Sequence, residues 1–194
     1  MAGRPGEQRG TEPIPGHAED FVGDPEAVAR TLCLRQLDAR ARTRSELEQY
    51  LARKGVPSEP AQRVLDRFAE IGLIDDRALA EAYVETGHSH HGLARRGLAV
   101  KLRRRGVADT VVADAVGAID GEREEVAARA LVARRLRSLS GIGRAAQTRR
   151  LVGLLARKGY PSGLAYRVVR DLLEPDGEGD AVGGDADFSG SDED

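Results

Sequence analysis

The stretch Leu51-Ala-Arg-Lys-Gly55-Val-Pro57 reads as a helix end followed by a tight turn. It returns as Leu102-Arg-Arg-Arg-Gly106-Val-Ala108 and again as Leu155-Ala-Arg-Lys-Gly159-Tyr-Pro161. The three glycines stand 51 and 53 residues apart. A period of that size marks a repeat protein. Leucines stand four and eight residues before each glycine: Leu47 and Leu51, Leu98 and Leu102, Leu151 and Leu155. That spacing places each pair on one helical face. The glycine suits a left-handed residue at a helix C-terminus, where a Cβ would clash.

Beyond each turn, Ser58, Asp109 and Ser162 are expected to cap the next helix. A second apolar stripe follows in every copy. It runs Ala61, Val64, Leu65 and Phe68; then Val112, Ala115, Val116 and Ile119; then Ala165, Val168, Val169 and Leu172. Leading helices complete each unit. Asp24-Pro25-Glu26 starts the first, to about residue 39, with Val28, Thr31, Leu32, Leu34 and Leu37 facing inward. Thr43 or Ser45 caps the second, about 45–54, and the third covers about 59–71. Leu73 and Ile74 form an apolar plug before a fourth helix, about 76–86, with Leu79, Ala82 and Tyr83 inward. Residues 87–92 read as a polar loop. The seventh helix, about 122–137, points Val126, Ala127, Ala130, Leu131 and Leu136 inward, and residues 138–143 form a flexible connection.

The expected fold is all-α: nine helices in a tandem array of three three-helix repeats, elongated or crescent-shaped. Short helices are marginal alone and must stack on their neighbours. The repeats span 25–74, 75–121 and 122–173. They are flanked by segments 1–24 and 174–194, whose composition predicts disorder.

Composition narrows the function classes. The chain has 194 residues, of which 40% are hydrophobic and only 4% aromatic, so aliphatic side chains must fill the core. No apolar run is long enough to span a membrane, and the N-terminus has no apolar signal-peptide core. The one cysteine, Cys33, reads as a buried structural thiol in a reducing cytoplasm. The formal net charge of −2 hides a strong asymmetry. Residues 174–194 carry nine acids and no base, whereas residues 25–173 hold 28 Arg and Lys against 18 Asp and Glu. A cationic body implies an acidic partner, either nucleic acid or an acidic protein surface.

Gly72-Leu-Ile-Asp-Asp76 follows the first helix–turn–helix, and Tyr83-Val-Glu85 completes the next helix. With the thrice-repeated Leu-x-Arg-Lys/Arg-Gly turn and the three-by-three plan, these residues resemble the RecX family over roughly 26–173. RecX proteins are bacterial regulators of the recombinase RecA. The chain is expected to be a cytoplasmic monomer without cofactors. The resemblance implies an all-helical protein of three tandem three-helix repeats with no catalysis of its own. It implies binding in the groove of RecA filaments on single-stranded DNA. It also implies inhibition of RecA's ATPase and strand exchange, and so a role in homologous recombination and DNA repair.

Candidate partner- or DNA-binding residues are the cations before each glycine: Arg53 and Lys54, Arg104 and Arg105, Arg157 and Lys158. Each pair gains about 0.3–1 kcal/mol from the helix dipole wherever it points. A solenoid would also line the pairs up on one face. The middle copy adds Lys101 and Arg103, making the densest cationic cluster, and has Ala108 where the others have proline.

Other motifs carry less. Sequence-specific duplex reading is not expected, because the second helices place no Asn or Gln to read adenine. Base stacking is not expected either, because Phe68, Tyr83 and Tyr160 sit on apolar stripes or turns. Weak, salt-sensitive contact with a DNA backbone remains open, as does a general basic scaffold binding nucleic acid directly. His88, His90 and His91 lack the further ligand of a metal site, and Gly141-Ile-Gly143 lacks the strand a nucleotide loop needs. No catalytic constellation stands out.

Overall fold

The computed structural model describes residues 24–174. The segments 1–23 and 175–194, read above as disordered, lie outside the described residues. The described chain forms nine α-helices: α1 Pro25–Ala39, α2 Arg44–Arg53, α3 Ser58–Glu70, α4 Asp76–Ser89, α5 Arg95–Arg104, α6 Asp109–Gly117, α7 Gly121–Leu136, α8 Arg144–Lys158 and α9 Ser162–Leu173. They pack as three successive three-helix units, each around its own apolar cluster.

The leucine pairs are the centre of those clusters. Leu47, Leu51, Leu98, Leu102, Leu151 and Leu155 are all fully buried. The second stripe is buried too, apart from Leu172, which is half-buried beside the inward Leu173. Each turn closes as expected. Gly55, Gly106 and Gly159 have φ of 77°, 79° and 92°. The amides of Val56, Val107 and Tyr160 reach back to the carbonyls of Leu51, Leu102 and Leu155 at 3.1, 3.2 and 3.1 Å. This is the Schellman closure, with the residue after the glycine buried against the helix it ends.

Several local expectations are corrected. The residues that cap α3, α6 and α9 are Pro57, Ala108 and Pro161, so Ser58, Asp109 and Ser162 lie one position inside and make no cap bond. The proline backbone is already extended, at φ −58° for both Pro57 and Pro161, which starts the helix one residue earlier. Thr43, not Ser45, caps α2 in a capping box with Glu46. Ile74 is the buried plug, whereas Leu73 is 46% exposed.

The leading helices bury the expected face only in part. Leu131 and Cys33 are buried, and Leu32, Leu37, Tyr83 and Leu136 pack against the clusters. Thr31, Ala82 and Ala130 are exposed, and smaller residues lie deepest. In α1 the inward residues are Ala29 and Cys33; in α4, Ala80 and Val84; in α7, Ala128 and Val132. Leu34 and Val126 point to solvent instead. An alanine four residues before a small Cys or Val recurs in all three units. It lets the leading helix approach the Leu-lined pair closely, which larger side chains would prevent. Helix α4 also runs on through His88, which is buried with Nδ1 3.0 Å from the Leu93 carbonyl. Residues 87–89 are therefore helical rather than loop. The connection after α7 is a 3₁₀ turn, Arg137–Leu139, with Leu139 buried in the third cluster.

The units are joined by one device used twice. An acid in the first turn of each following unit caps the second helix of the preceding one. Asp76 Oδ1 accepts from the Arg44 amide at 2.9 Å, and Glu124 Oε1 accepts from the Arg95 amide at 2.8 Å. Each following turn then docks on the same helix start. Thr43 Oγ1 donates to the Arg105 carbonyl at 2.6 Å, and the Ala94 amide donates to the Lys158 carbonyl at 3.0 Å.

Candidate functional site

The helix ends carry the candidate cations to different surroundings in the three copies. In the first unit Arg53 is exposed, and Lys54 lies with Nζ 6.0 Å above the Tyr50 ring. In the second, Lys101 and Arg104 are exposed, while Arg103 is exposed but paired to Asp109 at 2.6 Å. In the third, Arg157 is exposed, and half-buried Lys158 donates from Nζ to the His91 carbonyl at 2.6 Å.

Arg105 has a role inside the protein. Its side chain is only 20% exposed and grips Glu46 of the first unit with two hydrogen bonds. Its Nη2 also donates to the Ala41 carbonyl, and its guanidinium lies 5.7 Å from the Tyr83 ring centre. Burial pushes the Glu46 carboxyl up, but the hydrogen bonds from Arg105 and the Thr43 amide, with the charge of Arg105 and Arg40, outweigh it. The Glu46 carboxyl is therefore held below its ordinary value. Of the three-arginine run 103–105, Arg104 alone presents a free cation among the described residues.

The tertiary structure gathers Lys101, Arg104, Arg157 and Lys158 into two adjoining clefts, while Arg53 and Lys54 of the first unit line neither. One, of about 600 Å³, lies between the second and third units and is lined by Arg96, Lys101, Arg104 and Arg157. The other, of about 750 Å³, lies between α7 and α8 and is lined by Arg157, which it shares with the first, and by Lys158. It adds Arg134 and Arg135 on one wall and Arg149 and Arg150 on the other. No acid lines either cleft. Arg96, Arg134, Arg135, Arg149 and Arg150 are absent from the candidates read from sequence, although Arg95-Arg96, Arg134-Arg135 and Arg149-Arg150 are visible as dipeptides. Chemically the surface can bind anions. Among the described residues no group of three or more His, Cys, Asp or Glu is set to hold a metal ion.

This arrangement of three capped helical triplets is matched by known families. Family models described as the first, second and third three-helix domains of RecX match residues 29–68, 75–116 and 123–169. The chain belongs to the RecX family. It is 49% identical over 165 residues to the regulatory protein RecX of Streptomyces coelicolor, covering 85% of this chain and 88% of that one. It is 48% identical over 151 residues to that of Thermobifida fusca, covering 78% of this chain and 82% of the relative. The crystal structure of RecX from Lactobacillus salivarius superposes with a TM-score of 0.68 at 19% identity, over 77% of this chain and 97% of that one. That likeness carries the fold. Within the RecX plan, the 600 Å³ cleft straddles the second and third domains, and the 750 Å³ cleft lies within the third, at its border with the second. No described helix is long and apolar enough to cross a membrane.

Proposed function

We propose that this chain is a cytoplasmic, non-enzymatic regulator that binds RecA and its filaments on single-stranded DNA. Binding inhibits RecA's ATPase and strand exchange. The observation that carries the reading is family membership across all three helical units, since RecX proteins act on RecA. The structure adds a physical means. Units joined in series expose Arg53, Arg104 and Arg157 at equivalent helix ends, with Lys101 about one turn earlier in the second, and a filament presents repeated acidic surface and DNA phosphate. A body that touches successive protomers through several such points would hinder their ATP cycle or the addition of new protomers.

The test is RecA's ATPase rate on single-stranded DNA as the protein is titrated in, with DNA in excess and salt varied. Inhibition below one molecule per RecA supports the reading, and no inhibition overturns it. The double reversal Lys101→Glu with Arg104→Glu should raise the concentration needed for half-inhibition by about tenfold or more. Unchanged inhibition would remove these two residues from the interface. Arg105 is left out of this test because its substitution would open the joint to Glu46.

A further inference from the structure

The third unit divides its charge in a way of which the filament reading uses Arg157 alone. On the α7–α9 side, cations are neutralised: Arg129 and Arg167 bond to Glu125 at 3.0 and 2.7 Å, and Arg170 lies 3.3 Å from Asp171. On the α7–α8 side, Arg134, Arg135, Arg149, Arg150 and Arg157 are all exposed. None of these five makes an ion pair with a described residue. They face each other across a cleft whose floor is Leu131 and Leu154. Five like charges held around one cleft repel each other, and a short path through a low-dielectric floor strengthens that repulsion. The fold maintains this arrangement on two helices where acids could have relieved it.

We infer that the α7–α8 cleft is a binding site for the phosphodiester backbone of nucleic acid, held without reading the bases and without RecA. One feature favours phosphate over an acidic protein surface: every charged residue of the lining is a cation, and no acid is among them. The free cations are arginines, whose planar guanidinium meets phosphate or carboxylate oxygens with two parallel hydrogen bonds. A partner of uniform negative charge, repeating along its length, satisfies such a lining, and a folded protein surface of mixed charge does not. The lining holds no Asn or Gln to read adenine and no aromatic side chain on which a base could stack. The nearby Gln147 amide is already donating to the Leu139 carbonyl at 2.9 Å.

The cleft abuts the one lined by Arg96, Lys101 and Arg104 through the shared Arg157, so a strand leaving the first would meet further cations. Neutralising phosphates releases condensed counterions, which makes the number of phosphates engaged measurable as a salt slope.

The experiment uses the full chain alone, with a fluorescent oligothymidylate, the matching duplex, and an oligoglutamate of equal charge, followed by anisotropy across a salt series. Arg149→Gln with Arg150→Gln should weaken oligothymidylate binding by roughly tenfold or more at low salt and reduce the slope by about 0.7 for each phosphate no longer neutralised. Adding Arg134→Gln and Arg135→Gln should extend both effects. The charge-matched pair Arg30→Gln with Arg35→Gln, on α1, should change the slope by less than half as much. Phenylglyoxal modification read by mass spectrometry provides a check on the unaltered protein: the oligonucleotide should protect Arg149 and Arg150. An equal effect from the α1 pair would mean net charge alone. Oligoglutamate binding as tight as oligothymidylate would mean an acidic-peptide site. Absence of protection would mean the cleft is unused. Each of these three results overturns the proposal. Because RecA is absent from the assay, failure here leaves the filament reading standing.

Discussion

Arg105 and Glu46 stand 59 residues apart in the chain and meet across the joint between the first and second units, Nε to Oε1 at 3.0 Å and Nη2 to Oε2 at 2.9 Å. The same carboxylate accepts from the Thr43 amide at 3.1 Å, so one side chain both caps α2 and fastens the next unit to it. Glu46→Ala should therefore cost about 2 kcal/mol, combining a cap of about 1 kcal/mol with a charge-assisted bond of similar size. Urea unfolding measures it. A double-mutant cycle with Arg105→Ala should show the two losses to be coupled, because both remove the same bond. Strict additivity would mean the pair contributes nothing across the joint.

The same pair predicts a pH dependence. The folded Glu46 carboxyl lies below its ordinary value of 4.5. A depressed carboxylate contributes stability that is fully present above the unfolded pKa and is lost as pH falls through the folded one. The stability gap between the unaltered protein and Glu46→Gln should thus be widest at neutral pH and should close in the acid range. A gap that stays constant with pH would show that the charge of Glu46 is not what the joint uses.

The second joint rests on shape. A Cβ at Gly97 would fall 2.4 Å from the Lys158 carbonyl oxygen, and one at Gly159 would fall 2.3 Å from the Gly97 amide nitrogen. Gly97→Ala should destabilise the chain by about 1–3 kcal/mol by forcing two backbones apart. Gly159→Ala should cost more, since φ there is 92°. Gly163→Ala in α9, where a Cβ would meet nothing within 4 Å, should instead stabilise by about 0.4–1 kcal/mol. Thermal unfolding of the three variants ranks them, and equal melting points would refute close approach at this joint.

Cys33 is fully buried in the first cluster, and burial pushes its thiol up to about 11. At mildly alkaline pH the thiolate is then scarcer than in the unfolded chain by about a hundredfold. A thiol reagent should label the native protein slowly and the denatured protein fast. Equal rates would place Cys33 at the surface.

The acidic segment 174–194 gives a further prediction for the proposed anion site. Deleting 175–194 removes eight of the nine acids of that segment and should raise affinity for oligothymidylate several-fold at low salt. The difference should shrink as salt screens it. No gain at low salt would show that the segment does not compete for the cationic clefts.

Much of this protein is legible in one dimension. The leucine pairs, the positive-φ glycines and the second stripe follow from periods of three and four residues, and a helix obeys those periods whatever surrounds it. The inward face of the leading helices is not legible in the same way, because large apolar residues look like core. Yet Leu34 and Val126 face solvent, and Ala29, Ala80 and Ala128 face in. Close helix approach favours small side chains, and that closeness is a property of the packed unit.

The sequence by itself determined the three-by-three helical plan, its turns and its cationic character, because propensity, capping and charge are local. Only the tertiary structure decided which cations are free. Arg104 and Arg105 are neighbours in the chain, yet one faces an open cleft and the other is held by Glu46. Arg134 and Arg149, on separate helices, become opposite walls of one site. Whether a charge is neutralised depends on a partner brought from elsewhere in the chain, and packing alone supplies that partner.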